Sequence, residues 1–227
     1  MSLPGTDSIA ENLFDDRESM TATLAAEIAA RLGRAIAARG RAAMVAAGGT
    51  TPAALHERLR RADIDWSRVV IVPSDDRQTK QHETGPNEAR LRASLLRDDA
   101  GAARWQPLEG GDAALAALAP FDVTMLGMGT DGHIASLLPL AAGLADALDT
   151  RHRARVCPIL PRDPASGARI SLTLKAILDS RIVIVLIQGQ DKLAAWRAAR
   201  RNGDTMAMPV RALLAARRVP VALYWAP

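Results

Sequence analysis

Cysteine is nearly absent. The 227-residue chain holds one, Cys157, so no internal disulfide can form and a disulfide-stapled fold is excluded. Cys157 lies in the run Val156-Cys157-Pro158-Ile159 and reads as a small buried hydrophobe rather than a nucleophile. Aromatic residues make up only 3% of the chain, too few to build a base-stacking surface. The hydrophobic fraction is nevertheless 48%, so alanine and the aliphatic side chains must build the core. No sign of charge dominates: 29 Lys and Arg against 25 Asp and Glu leave a net +4, and the arginines are scattered. No basic recognition helix is found, and nucleic acid is not an expected partner. The N-terminal MSLPGTDSIAENLF has neither a basic region nor a long apolar stretch, so no signal peptide is expected. The longest strongly apolar run, 182–187, is far short of the roughly 20 residues that span a bilayer. The expectation is a soluble, cytoplasmic protein with no membrane partner.

What is present is alternation. Short apolar runs at 43–47, 69–73, 123–126, 156–160, 182–187 and 221–225 are filled by Ala, Val, Ile and Leu with little polar interleaving. Such runs suit strands covered on both faces, as in a mostly parallel sheet. Between them lie alanine-rich amphipathic stretches that predict helices over 19–38, 52–61, 87–97, 112–118, 171–178, 190–200 and 209–217. Ser19 and Asn87 read as helix caps, Gly40 as a helix exit and Pro52 as a first helical residue. No internal repeat or low-complexity linker divides the chain. The reading is one α/β domain over 1–227, a mostly parallel Rossmann-like sheet flanked by helices on both faces. Polar segments at 74–87 and 161–169 read as loops after strands, where α/β sheets bind ligands.

Five segments carry chemistry. The run Ala46-Ala47-Gly48-Gly49-Thr50-Thr51-Pro52 joins a strand to a helix start. Its glycines allow close backbone approach, and its threonine hydroxyls and free N–H groups suit an anion. No Gly-Lys-Ser/Thr follows, so it is not a Walker loop, and G-x-G-x-x-G is missing. The run Leu126-Gly127-Met128-Gly129-Thr130-Asp131-Gly132-His133 follows another strand. There Asp131 can fix the tautomer of His133 and leave the second ring nitrogen to take a proton from water. Ser74-Asp75-Asp76-Arg77 could orient a polyol and bind an anion. Arg169-Ile170-Ser171 at a helix start and Gly189-Gln190-Asp191-Lys192 add cations suited to a phosphate dianion. Taken singly, each basic segment also reads as solvated surface. His56 reads as part of a solvated helix face, His152 as loop, and His82 as a loop residue that can approach a ligand. Trp66, Trp105 and Trp196 read as packing or edge residues, and Trp225 as the end of the last strand. No set of His, Cys or carboxylates has metal-ligand spacing, and no G-x-S-x-G or Cys/His arrangement appears.

In this order, over about 19–225, these landmarks resemble the 6-phosphogluconolactonases, part of a wider family with the glucosamine-6-phosphate deaminase/isomerases. The resemblance is carried by Gly48-Gly49-Thr50-Thr51-Pro52, Asp75-Asp76-Arg77, Asn87, the Leu126–His133 run just quoted, Ala135-Ser136-Leu137, Arg169-Ile170-Ser171, and Gly189 with Lys192. Lactonases resemble this chain in keeping Arg at 77, where deaminases have Tyr. They also continue Ala-Ser-Leu-Phe-Pro after Asp-Gly-His, as Ala135-Ser136-Leu137-Leu138-Pro139 nearly does, whereas the deaminases place a catalytic Glu that has no counterpart here. Asp76 in place of Glu, Leu138 in place of Phe, and Pro86 before Asn87 depart from the pattern, and 78–84 matches it poorly.

The resemblance implies hydrolysis of 6-phospho-D-glucono-1,5-lactone to 6-phosphogluconate, in the oxidative pentose phosphate pathway, without metal or cofactor. It implies His133 as general base oriented by Asp131. Gly48, Gly49, Thr50, Thr51, Arg169 and Lys192 would hold the 6-phosphate, Asp75 the ring hydroxyls, and Arg77 would add charge near the phosphate or the oxyanion. The expected partner is the sugar-phosphate lactone alone, with the protein a monomer or weak homo-oligomer. A deaminase/isomerase and a non-catalytic sugar-phosphate-binding protein remain the alternatives. Ammonia release would mark the first, and loss of Asp131 or His133 would have marked the second.

Overall fold

The computed structural model describes residues 9–78 and 84–227; His82 lies outside them. Its strands are β1 (Ile9–Leu13), β2 (Ala42–Ala46), β3 (Val69–Pro73), β4 (Asp75–Arg77), β5 (Arg104–Trp105), β6 (Val123–Gly127), β7 (Val156–Ile159), β8 (Arg169–Leu172), β9 (Val183–Gln188) and β10 (Val221–Ala226). Its helices are α1 (Arg17–Arg39), α2 (Ala53–Leu59), α3 (Pro86–Ser94), α4 (Gly111–Leu118), α5 (Leu144–Leu148), α6 (Leu174–Leu178), α7 (Gln190–Ala199) and α8 (Val210–Ala216).

Seven strands form one parallel sheet in the order β1-β10-β9-β6-β2-β3-β5. Successive side chains of each strand enter different layers. Met44, Ile71, Met125 and Ile184 pack under α1, α2 and α3. Val45, Val72, Leu126 and Val185 pack under α4 to α8. Because both faces are covered, the strands read as continuous apolar runs. The chain builds β2, β3 and β5 in one direction, then returns to lay β6, β9 and β10 on the other side of β2. The order therefore reverses between β2 and β6, where an α/β sheet opens a ligand crevice at its carboxyl edge. These neighbours share only two register pairs, Met44↔Val123 and Val45↔Thr124.

Several expected elements differ. The 156–160 run is not part of the parallel sheet. β7 is an edge of a second, antiparallel sheet, β4-β8-β7, laid over the carboxyl end of the first. Pro158 is tolerated there because an edge strand can lack one donor. The helix expected from 171 begins at Leu174 with Thr173 as its cap, so Arg169 opens a strand instead of a helix. The 74–87 segment is not all loop, since β4 continues directly from β3. Asp16, not Ser19, caps α1: its carboxylate accepts the Ser19 N–H at 2.7 Å. Gly40 ends α1 in the left-handed region, φ 72°, as expected. Cys157 is buried, and burial pushes its thiol up to about 11.

His56 was expected on a solvated face and is instead buried, 1% exposed. Ser94 donates its hydroxyl proton to the Arg90 carbonyl at 2.8 Å. The 2.9 Å contact from His56 must therefore be Nδ1–H donating to Ser94 Oγ. Nε2 is left as a lone pair with no partner among the described residues. Burial lowers the imidazole to about 4 from 6.5. The folded-state value is depressed, so stability is whole above the unfolded pKa near 6.5 and is lost as pH falls toward 4. The loss attributable to His56 is about 3 kcal/mol. Urea unfolding at pH 7 and pH 4.5 checks this: His56→Leu should lose less stability between the two than the parent chain. Equal losses would mean that the folded protein holds the imidazole charged.

Candidate active site

The two glycine-rich turns leave adjacent strands at the reversal point. The 48–51 turn follows β2, and residues 128–138 follow β6. Between them lies a cavity of about 340 Å³, lined by Gly48, Gly49, Thr50, Thr51, Asp75, His133, Ser136, Arg169 and Lys192, among others. Lys192 arrives from the first turn of α7, just after neighbouring β9, and Arg169 from β8 of the covering sheet.

His133 Nδ1 lies 2.7 Å from Asp131 Oδ1, and the same oxygen accepts the His133 N–H at 3.1 Å. The hydrogen bond to His133 holds the Asp131 carboxyl below the usual carboxylate range. Asp131 thus stays ionised, accepts from Nδ1–H and leaves Nε2 as the free nitrogen of a ring that lines the cavity. Gly129 makes this contact possible: a Cβ there would stand 2.3 Å from His133 Nδ1 and 2.4 Å from Asp131 Oδ1. Ala135, two residues after His133, holds φ 49°, a strained conformation for a residue bearing Cβ, beside the cavity.

Asp75 lines the cavity, yet both its oxygens are engaged. Ser74 Oγ donates to Oδ1 at 2.6 Å and Ser136 Oγ to Oδ2 at 2.5 Å. The Ser136 N–H donates in turn to Ser171 Oγ at 3.2 Å. Burial pushes the Asp75 carboxyl up, opposed by the two serine hydroxyls. This carboxylate ties β3, the His133 turn and β8 together, a role that sequence reasoning missed because Ser136 is 61 residues away. Ser136 stood in the family-like run, but nothing local in that run points to Asp75.

Arg169 faces Arg77 directly across the β4–β8 ladder. Neither makes an ion pair among the described residues, and Arg169 Nε is buried without an acceptor. Burial first, then the charge of Arg77, lowers the Arg169 pKa, although a guanidinium stays protonated. Arg77 itself is exposed and stands outside the cavity lining. The N–H groups of Gly48, Gly49, Thr50 and Thr51 donate to no acceptor among the described residues. The site thus offers one free imidazole nitrogen, unneutralised cations and unused backbone donors around one cavity. Among the described residues, no cluster of three His, Cys, Asp or Glu is arranged as metal ligands, and no helix is long and apolar enough to cross a membrane.

Residues 15–225 match the model of the family described as glucosamine-6-phosphate isomerases/6-phosphogluconolactonase. The chain is 35% identical to a 6-phosphogluconolactonase of Rhizobium meliloti, over 95% of this chain and 98% of that one. It is 37% identical to one of Mesorhizobium japonicum, over 95% and 94%. A crystal structure of a 6-phosphogluconolactonase from Shewanella baltica superposes with a TM-score of 0.88 at 37% identity, covering 98% of this chain and 99% of that one. With the fold, the turns and these relatives in agreement, the chain belongs to the glucosamine-6-phosphate isomerase/6-phosphogluconolactonase family of enzymes.

Proposed function

We propose that this enzyme hydrolyses 6-phospho-D-glucono-1,5-lactone to 6-phosphogluconate, with His133 as the base that activates water. The observation that carries this reading is the committed Nδ1 of His133, 2.7 Å from Asp131, in a cavity that also presents Arg169 and Lys192. A lactone carbonyl is attacked by water while Nε2 takes a proton. The C1–O bond to the attacking oxygen forms, and the carbonyl pair moves onto oxygen. That oxyanion then collapses, the ring C1–O bond breaks, and the imidazolium returns the proton to the departing alkoxide. Asp131 stabilises the imidazolium between the two steps. Unused N–H groups of the 48–51 turn, with Arg169 and Lys192, suit the 6-phosphate, and Arg77 adds field from outside the cavity. Asp75 is assigned to holding Ser136 and Ser74, in place of the substrate hydroxyls expected from sequence. At position 138, where a deaminase would need its Glu, Leu138 lines the cavity.

The test is lactone loss at neutral pH and low temperature against the spontaneous rate, with substrate generated in situ. Acceleration proportional to protein is expected. No acceleration by folded protein, with release of ammonia from glucosamine 6-phosphate, would transfer the assignment to the deaminase branch.

A further inference from the structure

Asp76 is a buried carboxylate, 6% exposed, that does not line the cavity. Both its oxygens are given to backbone donors. Oδ1 accepts the N–H groups of Arg77 at 2.7 Å and Asn87 at 3.0 Å, and Oδ2 accepts that of Glu88 at 2.9 Å. Asn87 and Glu88 lie in the first turn of α3, whose N-cap residue, Gly85, has no side chain to offer. The cap is therefore supplied from β4, across the sheet-to-helix connection.

The helix start so fixed carries Asn87, and Asn87 faces the substrate turn. Its Nδ2 donates to the Asp75 carbonyl at 3.0 Å. Its Cα, Cβ and Cγ are packed onto Gly48 so closely that a Cβ built on Gly48 would stand 2.6 Å from Asn87 Cβ. Only a bare backbone fits against Asn87, and the position of Asn87 sets where the 48–51 turn lies. We infer that Asp76 is a positioning residue for anion binding: through the start of α3 and Asn87 it sets the 48–51 turn that receives the substrate's phosphate. This rests on the phosphate assignment made above and deepens it.

Asp76→Asn keeps the volume but turns one acceptor into a donor facing an N–H. It should raise KM for the lactone about 10-fold, leave kcat within about twofold, and weaken binding of inorganic phosphate by the same factor as KM. Gly85→Ala reaches the same carboxylate from the other side, since its Cβ would stand 2.2 Å from Asp76 Oδ2. It should move KM and phosphate affinity in the same direction, and it serves if Asp76→Asn fails to fold. Variants that melt at lower temperature but keep parental KM and phosphate affinity would overturn the inference. So would a fall in kcat at unchanged KM, which would place Asp76 in the chemistry. Phosphate titration of the parent separates this inference from the functional one. A parent that binds phosphate but turns over no lactone fails the lactonase reading alone, and the variants' phosphate affinities still decide the role of Asp76. A parent that binds no phosphate overturns the inference.

Discussion

His133→Ala is expected to lower kcat by about 10²- to 10⁴-fold, a loss of roughly 3–5 kcal/mol of transition-state stabilisation. The size follows from the ring's geometry. One nitrogen is committed to Asp131 at 2.7 Å, so the other has a fixed orientation and a fixed tautomer. Among the described residues, no second imidazole lines the cavity, and Asp75, the one carboxylate lining it, is occupied by two serine hydroxyls. Among the described residues, His133 is the one lining group left to take the proton from water. The side chain is half-buried, so its removal leaves no sealed void, and the melting temperature should hardly change. Turnover that survives the substitution at the parental rate would sink the assignment of the base.

Arg169→Ala is expected to act on the other half of the reaction coordinate. It should raise KM roughly 10- to 100-fold, the range of a charge-assisted hydrogen bond to a bound anion, while kcat falls much less. Arg169 and Arg77 are like charges opposite one another on antiparallel strands, an arrangement that costs the free protein about 0.2–1 kcal/mol. An arriving phosphate dianion relieves the repulsion. The same substitution should therefore hold or slightly raise thermal stability, opposite to the usual effect of trimming a half-buried side chain. A variant with parental KM and abolished kcat would place the guanidinium at the developing oxyanion instead of the phosphate.

The legible parts of this protein are those whose causes are local. β2, β3, β6, β9 and β10 are visible as apolar runs because each is buried on both faces. Asp131 and His133 are visible because a glycine-rich turn brings residues two apart into contact. What was not legible is held in place from a distance. β4 and β8 read Asp-Asp-Arg and Arg-Ile-Ser-Leu, with little apolar pattern, and exist as strands because each finds the other. β7 carries an apolar run, yet Cys157 and Ile159 are buried while Pro158 is exposed, so it belongs to a one-sided sheet. His56 sits between Leu55 and Glu57, and its hydrogen-bond partner, Ser94, lies 38 residues on, out of reach of any local pattern. β1 pairs polar Glu11 and Asn12 against the far end of the chain, and a short edge strand of that composition has no sequence signature.

That pairing has a consequence for how the molecule is born. Residues 9–13 lie in register with 221–225, so β1 leaves the ribosome about 200 residues before the strand it pairs with. At 5–20 residues per second, β1 waits about 10–40 s for its partner. Until then its hydrogen-bonding edge is open to any passing strand. Glu11 and Asn12 blunt it in the meantime, and each acquires a later use. Glu11 accepts from the Trp196 indole at 2.9 Å and pairs with Arg200, while Asn12 Nδ2 donates to the Leu223 carbonyl at 3.1 Å. The polarity that keeps the nascent strand solitary becomes the clasp that closes the finished sheet.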